Sequence, residues 1–211
     1  MRFRDRAAAG RLLGERVAAL GLSDAVVLGL PRGGVPVAYE VARALGAPLD
    51  AFVARKVGAP GQPEYGIGAV AEGGAVVANA RALRALGLTG ADFAALAGRE
   101  RAELARRVAR YRGGRPLPPL TGRAVVLVDD GLATGVTAEA ALAALRAHHP
   151  ARLVLAAPVC APETAERLRN GVTGADVVVH VLAPETFTAV GQWYDDFRQI
   201  RDAEVIALLG R

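Results

Sequence analysis

The sequence runs to 211 residues, 52% of them hydrophobic and 22% charged; that suffices for one sizeable core and excludes global disorder. Its net charge of +5 raises nucleic acid as a partner, but the arginines are scattered among acids. Nucleic acid is therefore not expected, and anionic small molecules explain the surplus equally well. No apolar run reaches the roughly 20 residues of a membrane-spanning helix, and Cys160, the only cysteine, excludes an intrachain disulfide and a cysteine-based zinc cluster.

The chain opens on "MRFRDRAAAGRLLGERVAALG", charged throughout and helical over 5–20. It lacks the apolar stretch of a signal peptide, so a cytoplasmic location is expected. Apolar, valine-rich runs follow at 24–30, 49–55, 124–130, 152–159 and 175–183. They barely alternate, as strands buried on both faces do. Helical patterns lie between them at 35–46, 137–148 and 162–170. Strand, turn, helix, strand is the βαβ repeat, which predicts a single α/β domain with a mainly parallel five-stranded sheet flanked by helices. Residues 56–122 form an excursion from this rhythm. Its first part, 56–78, is rich in glycine, proline and small residues with little helical signal, and 89–112 reads as a long polar helix, a candidate partner surface for a homo-oligomer. Residues 184–211 gather aromatics into a small C-terminal hood. Cys160 lies in the apolar run "LVLAAPVCAP" and reads as a buried structural thiol.

The stretch "VVLVDDGLATGVT" (125–137) carries the chemistry. Asp129 and Asp130 end a buried strand, on the side where ligands bind in parallel sheets. Two adjacent carboxylates repel unless something donates to them; a vicinal diol or a metal ion does. Ala133, Thr134, Gly135, Val136 and Thr137 then form a small-residue turn into a helix, whose backbone amides can cradle an anion. Carboxylates for a sugar beside a nest for a phosphate describe a sugar phosphate. "GLPRGGVP" (29–36) closes the first strand, with Gly33 and Gly34 free to take strained backbone and Arg32 able to pair with a diphosphate. Lys56 is the only lysine beside 25 arginines, a compact point charge suited to phosphate. No Walker A loop or nucleophile elbow occurs, and "GIGAVA" (66–71) lacks a preceding strand.

"VVLVDDGLATGVT" resembles the phosphoribosyl pyrophosphate (PRPP) motif of the type I phosphoribosyltransferases, and most of the chain follows that family's order of elements. The resemblance implies that Asp129 and Asp130 hold the ribose hydroxyls and that residues 133–137 bind the 5′-phosphate. "GLPRGGVP" looks like the family's pyrophosphate loop, where a non-proline cis peptide is usual. "ARK" (54–56) is similar to the Arg-Lys pair of the orotate and adenine branches, which places Arg55 and Lys56 on pyrophosphate. "GQPEYGIGAV" falls where the family carries its mobile lid. "ETFTAVGQWYDDFR" resembles the hood of the purine enzymes, so Phe187 or Trp193 would stack on a base and Arg198 would reach pyrophosphate. The implied activity is Mg²⁺-dependent transfer of ribose 5-phosphate from PRPP to a nitrogen nucleophile, a nucleobase with purine favoured, in nucleotide salvage. Arg32, Lys56, Asp129 and Asp130 would be catalytic. Mg²⁺ would be held mainly by PRPP, with Asp129 and Asp130 reaching it through water. The alternative is a PRPP-binding regulator without turnover, a class in which nucleic-acid binding occurs.

Overall fold

The computed structural model describes residues 1–170 and 174–210. The chain begins with α1 (Arg6–Ala18), β1 (Ala25–Gly29), α2 (Gly34–Leu45) and β2 (Leu49–Ala51). The excursion contributes β3 (Ala54–Ala59), β4 (Gln62–Ala71), β5 (Val76–Ala78), α3 (Ala80–Ala85) and α4 (Gly90–Arg112). The remainder alternates β6 (Ala124–Val128), α5 (Val136–Arg146), β7 (Arg152–Val159), α6 (Pro162–Asn170), β8 (Val177–Leu182) and α7 (Asp202–Leu208).

Five strands form one all-parallel sheet in the order β2-β1-β6-β7-β8. Its valine-rich strands scarcely alternate because both faces are covered. Val126, Val128 and Val154 turn toward α1 and α2, where Leu13, Val17, Val37 and Val41 meet them. Their neighbours Val125, Leu127, Leu153 and Leu155 turn the other way, onto Leu142 and Leu145 of α5. Each such side chain contributes about 1.5–3 kcal/mol by leaving water. The helix ends are signalled locally: the Asp5 carboxylate accepts from the Ala8 amide at 2.7 Å, and Thr89 and Asp92 form a reciprocal cap on α4.

Two expectations need correction. The run 49–55 is not one strand. Phe52 still donates to Gly29 O, but the Val53 amide is taken by the Glu72 carboxylate at 2.6 Å and its carbonyl by the Glu72 amide. These bonds break the strand and turn β3 out of the main sheet. Nor does a Gly/Pro loop alone precede "GIGAVA": the small-residue stretch 56–78 is largely extended. It is most of an antiparallel sheet in the order β3-β4-β5. Glycine lets these strands lie close; a Cβ at Gly68 would sit 2.4 Å from Val77 O. The proposed lid "GQPEYGIGAV" is therefore largely β4. "GIGAVA" is part of the same strand, which settles against a dinucleotide loop.

The N-terminus fastens the hood. Phe3 donates to Trp193 O and accepts from the Asp195 amide, both at 2.8 Å, and its ring packs on Tyr194. Cys160 is buried, its thiol pushed up to about 11 by desolvation. No helix among the described residues is long and apolar enough to cross a membrane.

Candidate active site

Parallel pairing of β1 and β6 sets Gly29 beside Val128. The loop after β1 and the acid pair after β6 therefore emerge together at the carboxyl edge of the sheet. The Pro31–Arg32 peptide in this loop is cis. Gly33 and Gly34 act differently from the expectation. Gly33 has φ −65 and ψ −32, ordinary for any residue, and Gly34 begins α2. What glycine supplies is space. A Cβ on Gly33 would lie 1.9 Å from Asp130 Oδ2, and one on Gly34 2.6 Å from Val128 O.

Asp130 is held by Arg6, whose Nε donates to Oδ2 at 2.8 Å with both side chains largely buried. The Arg6 guanidinium also donates to Arg198 O and lies 4.0 Å over the Phe197 ring. Tyr194 Oη donates to the Asp130 carbonyl at 2.6 Å. Burial raises both carboxyls above their usual range. The charge of Asp130 adds to the rise at Asp129, whereas Arg6 opposes it at Asp130. Arg6 escaped the sequence reading because it lies 124 residues from its partner, among other arginines of a charged N-terminal helix.

Two cavities adjoin at this edge, sharing Asp129 and Thr137. The larger, about 510 Å³, brings Arg32, Arg55 and Lys56 together with Asp129 and Asp130. Arg107 of α4 also lines it. The helix pattern gave no means of singling this arginine out. The smaller cavity, about 170 Å³, is walled by residues 131–138 and capped by Val190 of the hood. Ala133, Thr134, Gly135, Val136 and Thr137 all line it. Gly135 has φ 67 at the start of α5, a conformation that favours glycine.

The cations already have anionic neighbours. Arg55 Nε meets Glu100 at 2.6 Å, and Arg32 stands 3.9 Å from Asp202. Asp202 in turn accepts from Tyr111 and pairs with Arg110. Three expected residues are not brought to the cavities. Arg198 is paired with Glu204 at 2.6 Å and lines a separate pocket between α1 and α7, because the tail turns away after Tyr194. Phe187 and Trp193 stack on each other, centroids 6.5 Å apart, and pack into the hood cluster with Phe3 and Tyr194. Both are partly buried there.

The donor set suits Mg²⁺ only as a shared ion. Among the described residues no cluster of three or more His, Cys, Asp or Glu side chains forms a cage. A lone carboxylate pair leaves most of an ion's ligands to come from outside the chain, which matches the way Mg²⁺ takes most of its ligands from substrate oxygens and water.

The chain matches the phosphoribosyl transferase domain over residues 5–189. It is 48% identical over 209 residues to two Mycobacterium tuberculosis proteins, from strains CDC 1551 and H37Rv, provisionally named phosphoribosyl transferases. That match covers 99% of this chain and 46% of each relative, so the chain spans about half the length of the curated relatives it matches. The crystal structure of TT1426 from Thermus thermophilus is 50% identical, with a TM-score of 0.82 over 99% of this chain and 98% of that one. A Neisseria gonorrhoeae protein solved with ppGpp bound shares the fold at 15% identity, with a TM-score of 0.53 over 100% of this chain and 99% of that one. The chain belongs to the phosphoribosyl transferase family, with the α/β fold its sequence resemblance implied.

Proposed function

We propose that this protein binds PRPP across the two adjoining cavities and transfers ribose 5-phosphate to a nitrogen nucleophile, releasing pyrophosphate. The observation that carries this reading is the position of Asp129, shared between a cavity walled by the small-residue turn 131–138 and one lined by Arg32, Arg55 and Lys56. A ribose whose hydroxyls meet Asp129 and Asp130 would reach the small cavity with its 5′-phosphate and the large one with its pyrophosphate. The C1–oxygen bond to pyrophosphate breaks as the nitrogen–C1 bond forms, through an oxocarbenium-like transition state.

Catalysis on this reading is positioning and charge stabilisation. The acid pair orients the ring. Arg32, Arg55 and Lys56 offset charge on the leaving group, and the β3–β4 hairpin stands beside the cavity where a lid would exclude water. Asp129 and Asp130 would help hold Mg²⁺ through water, and the ion would supply charge neutralisation for the leaving pyrophosphate. A nucleobase, with purine favoured, is the acceptor that the sequence resemblance suggests, and nucleotide salvage in the cytoplasm is the corresponding role.

One observation favours a second reading, PRPP binding without turnover. Phe187 and Trp193 stack on each other in the hood, and neither lines either of the two cavities. One experiment separates the two: incubation with PRPP, Mg²⁺ and a panel of nucleobases, scored by pyrophosphate release beside a direct PRPP titration. Release with a base supports transfer. Binding without release from any base supports the regulator. If Asp130→Asn binds PRPP as wild type does, the role of the acid pair is wrong.

A further inference from the structure

The carbonyls of residues 132–135 are each occupied by a donor that does not line the small cavity. Leu132 O accepts from the Ala161 amide at 2.9 Å, just before α6. Ala133 O accepts from Thr164 Oγ1 at 2.5 Å and Thr134 O from Arg167 Nη2 at 2.5 Å, both donors on α6. Gly135 O accepts from the Glu139 amide at 2.8 Å as α5 starts. Thr164 is 6% exposed, and Arg167 is fixed further by Glu139. The turn lies so close to α6 that a Cβ on Gly135 would sit 2.6 Å from Thr164 Cγ2.

A trans peptide points its N–H opposite its C=O. Drawing the carbonyls of residues 133 and 134 onto α6 therefore turns the amides of Thr134 and Gly135 away from that helix. The small cavity lies on that other side, and no α6 side chain lines it. None of the hydrogen bonds among the described residues uses an amide of residues 133–137 as donor. Without the two α6 donors, these two peptide planes would lose the hydrogen bonds that fix their orientation, and a buried carbonyl would have lost its partner.

We infer that Thr164 and Arg167 are positioning residues for the phosphate site: by holding two carbonyls on α6, they aim the adjacent amides at the terminal phosphate of the substrate. The inference rests on the reading of the site given above. Neither side chain touches the ligand, so both act through backbone orientation.

The test uses ribose 5-phosphate, which carries only the terminal phosphate, and inorganic pyrophosphate, which belongs to the other cavity, each titrated calorimetrically. Thr164→Val and Arg167→Gln should each weaken ribose 5-phosphate roughly 5- to 10-fold, the equivalent of one hydrogen bond. Both should leave pyrophosphate affinity within about twofold, and Thr164→Ser should restore ribose 5-phosphate binding, since it keeps the hydroxyl donor. Undiminished ribose 5-phosphate affinity in the Thr164→Val/Arg167→Gln double variant would overturn the inference alone. So would equal losses for both ligands, which mean general damage. Wild-type protein that binds neither ribose 5-phosphate nor PRPP would overturn the site reading, and the inference with it.

Discussion

Gly33→Ala is the sharpest probe of the acid pair. The backbone at Gly33 suits alanine, with φ −65 and ψ −32, so no conformational strain confuses the outcome. The added methyl would sit 1.9 Å from Asp130 Oδ2 and 2.6 Å from its Cγ. Real contacts at such an atom do not fall below 3.0 Å, so the carboxylate must retreat by about 1 Å or the β1 loop must. Asp130 has little freedom to yield, since Arg6 grips the same oxygen at 2.8 Å and is itself stacked over Phe197. A misplacement of about 1 Å at a reacting centre costs on the order of 100-fold. Overpacking should also lower stability by about 1–3 kcal/mol. PRPP affinity and, where turnover is found, kcat/KM should fall by that order, with a lower Tm. A Gly33→Ala protein that binds PRPP within twofold of wild type would show that the carboxylate does not need its present position.

Further tests probe other contacts. Arg6→Gln should weaken PRPP binding several-fold with a smaller effect on any turnover at saturation, while Arg6→Lys recovers part of the loss; equal affinity across all three proteins would remove Arg6 from the site. Burial and the charge of Asp130 push the Asp129 carboxyl up to about 8 from an ordinary 3.8. The folded state then holds this proton after the unfolded chain has lost it, so wild type should lose stability relative to Asp129→Asn as pH rises through that window. Thermal melts from pH 4 to 8 that run parallel for the two proteins would contradict the shift. Gly98 lies inside α4 with open space where a Cβ would go, so Gly98→Ala should stabilise by roughly 0.5–1 kcal/mol; chemical denaturation that shows no gain would mean α4 contributes less to the measured unfolding than its packing suggests.

The sequence alone determined what depends on local pattern. Valine-rich runs that fail to alternate specify strands covered on both sides, and helical spacing between them specifies a parallel sheet. An acid pair followed by Gly-Leu-Ala-Thr-Gly-Val-Thr specifies a tight small-residue turn into a helix, because the backbone there depends on small side chains and a helix start within a few residues. The tertiary structure decided what depends on distance along the chain. Glu72 breaks the strand at Val53 through bonds 19 residues away, which no propensity in 49–55 records. The hood aromatics had two uses open to them, a base or each other, and the fold stacks Phe187 on Trp193 beside Phe3 and Tyr194, away from both cavities. Arg198 was drawn to Glu204, while Arg6, one arginine among 25, became the partner of Asp130. A charged side chain carries no mark of which opposite charge it will meet. Folding chooses that partner by bringing distant elements together where water is excluded, and the fine placement of this site was settled at that step.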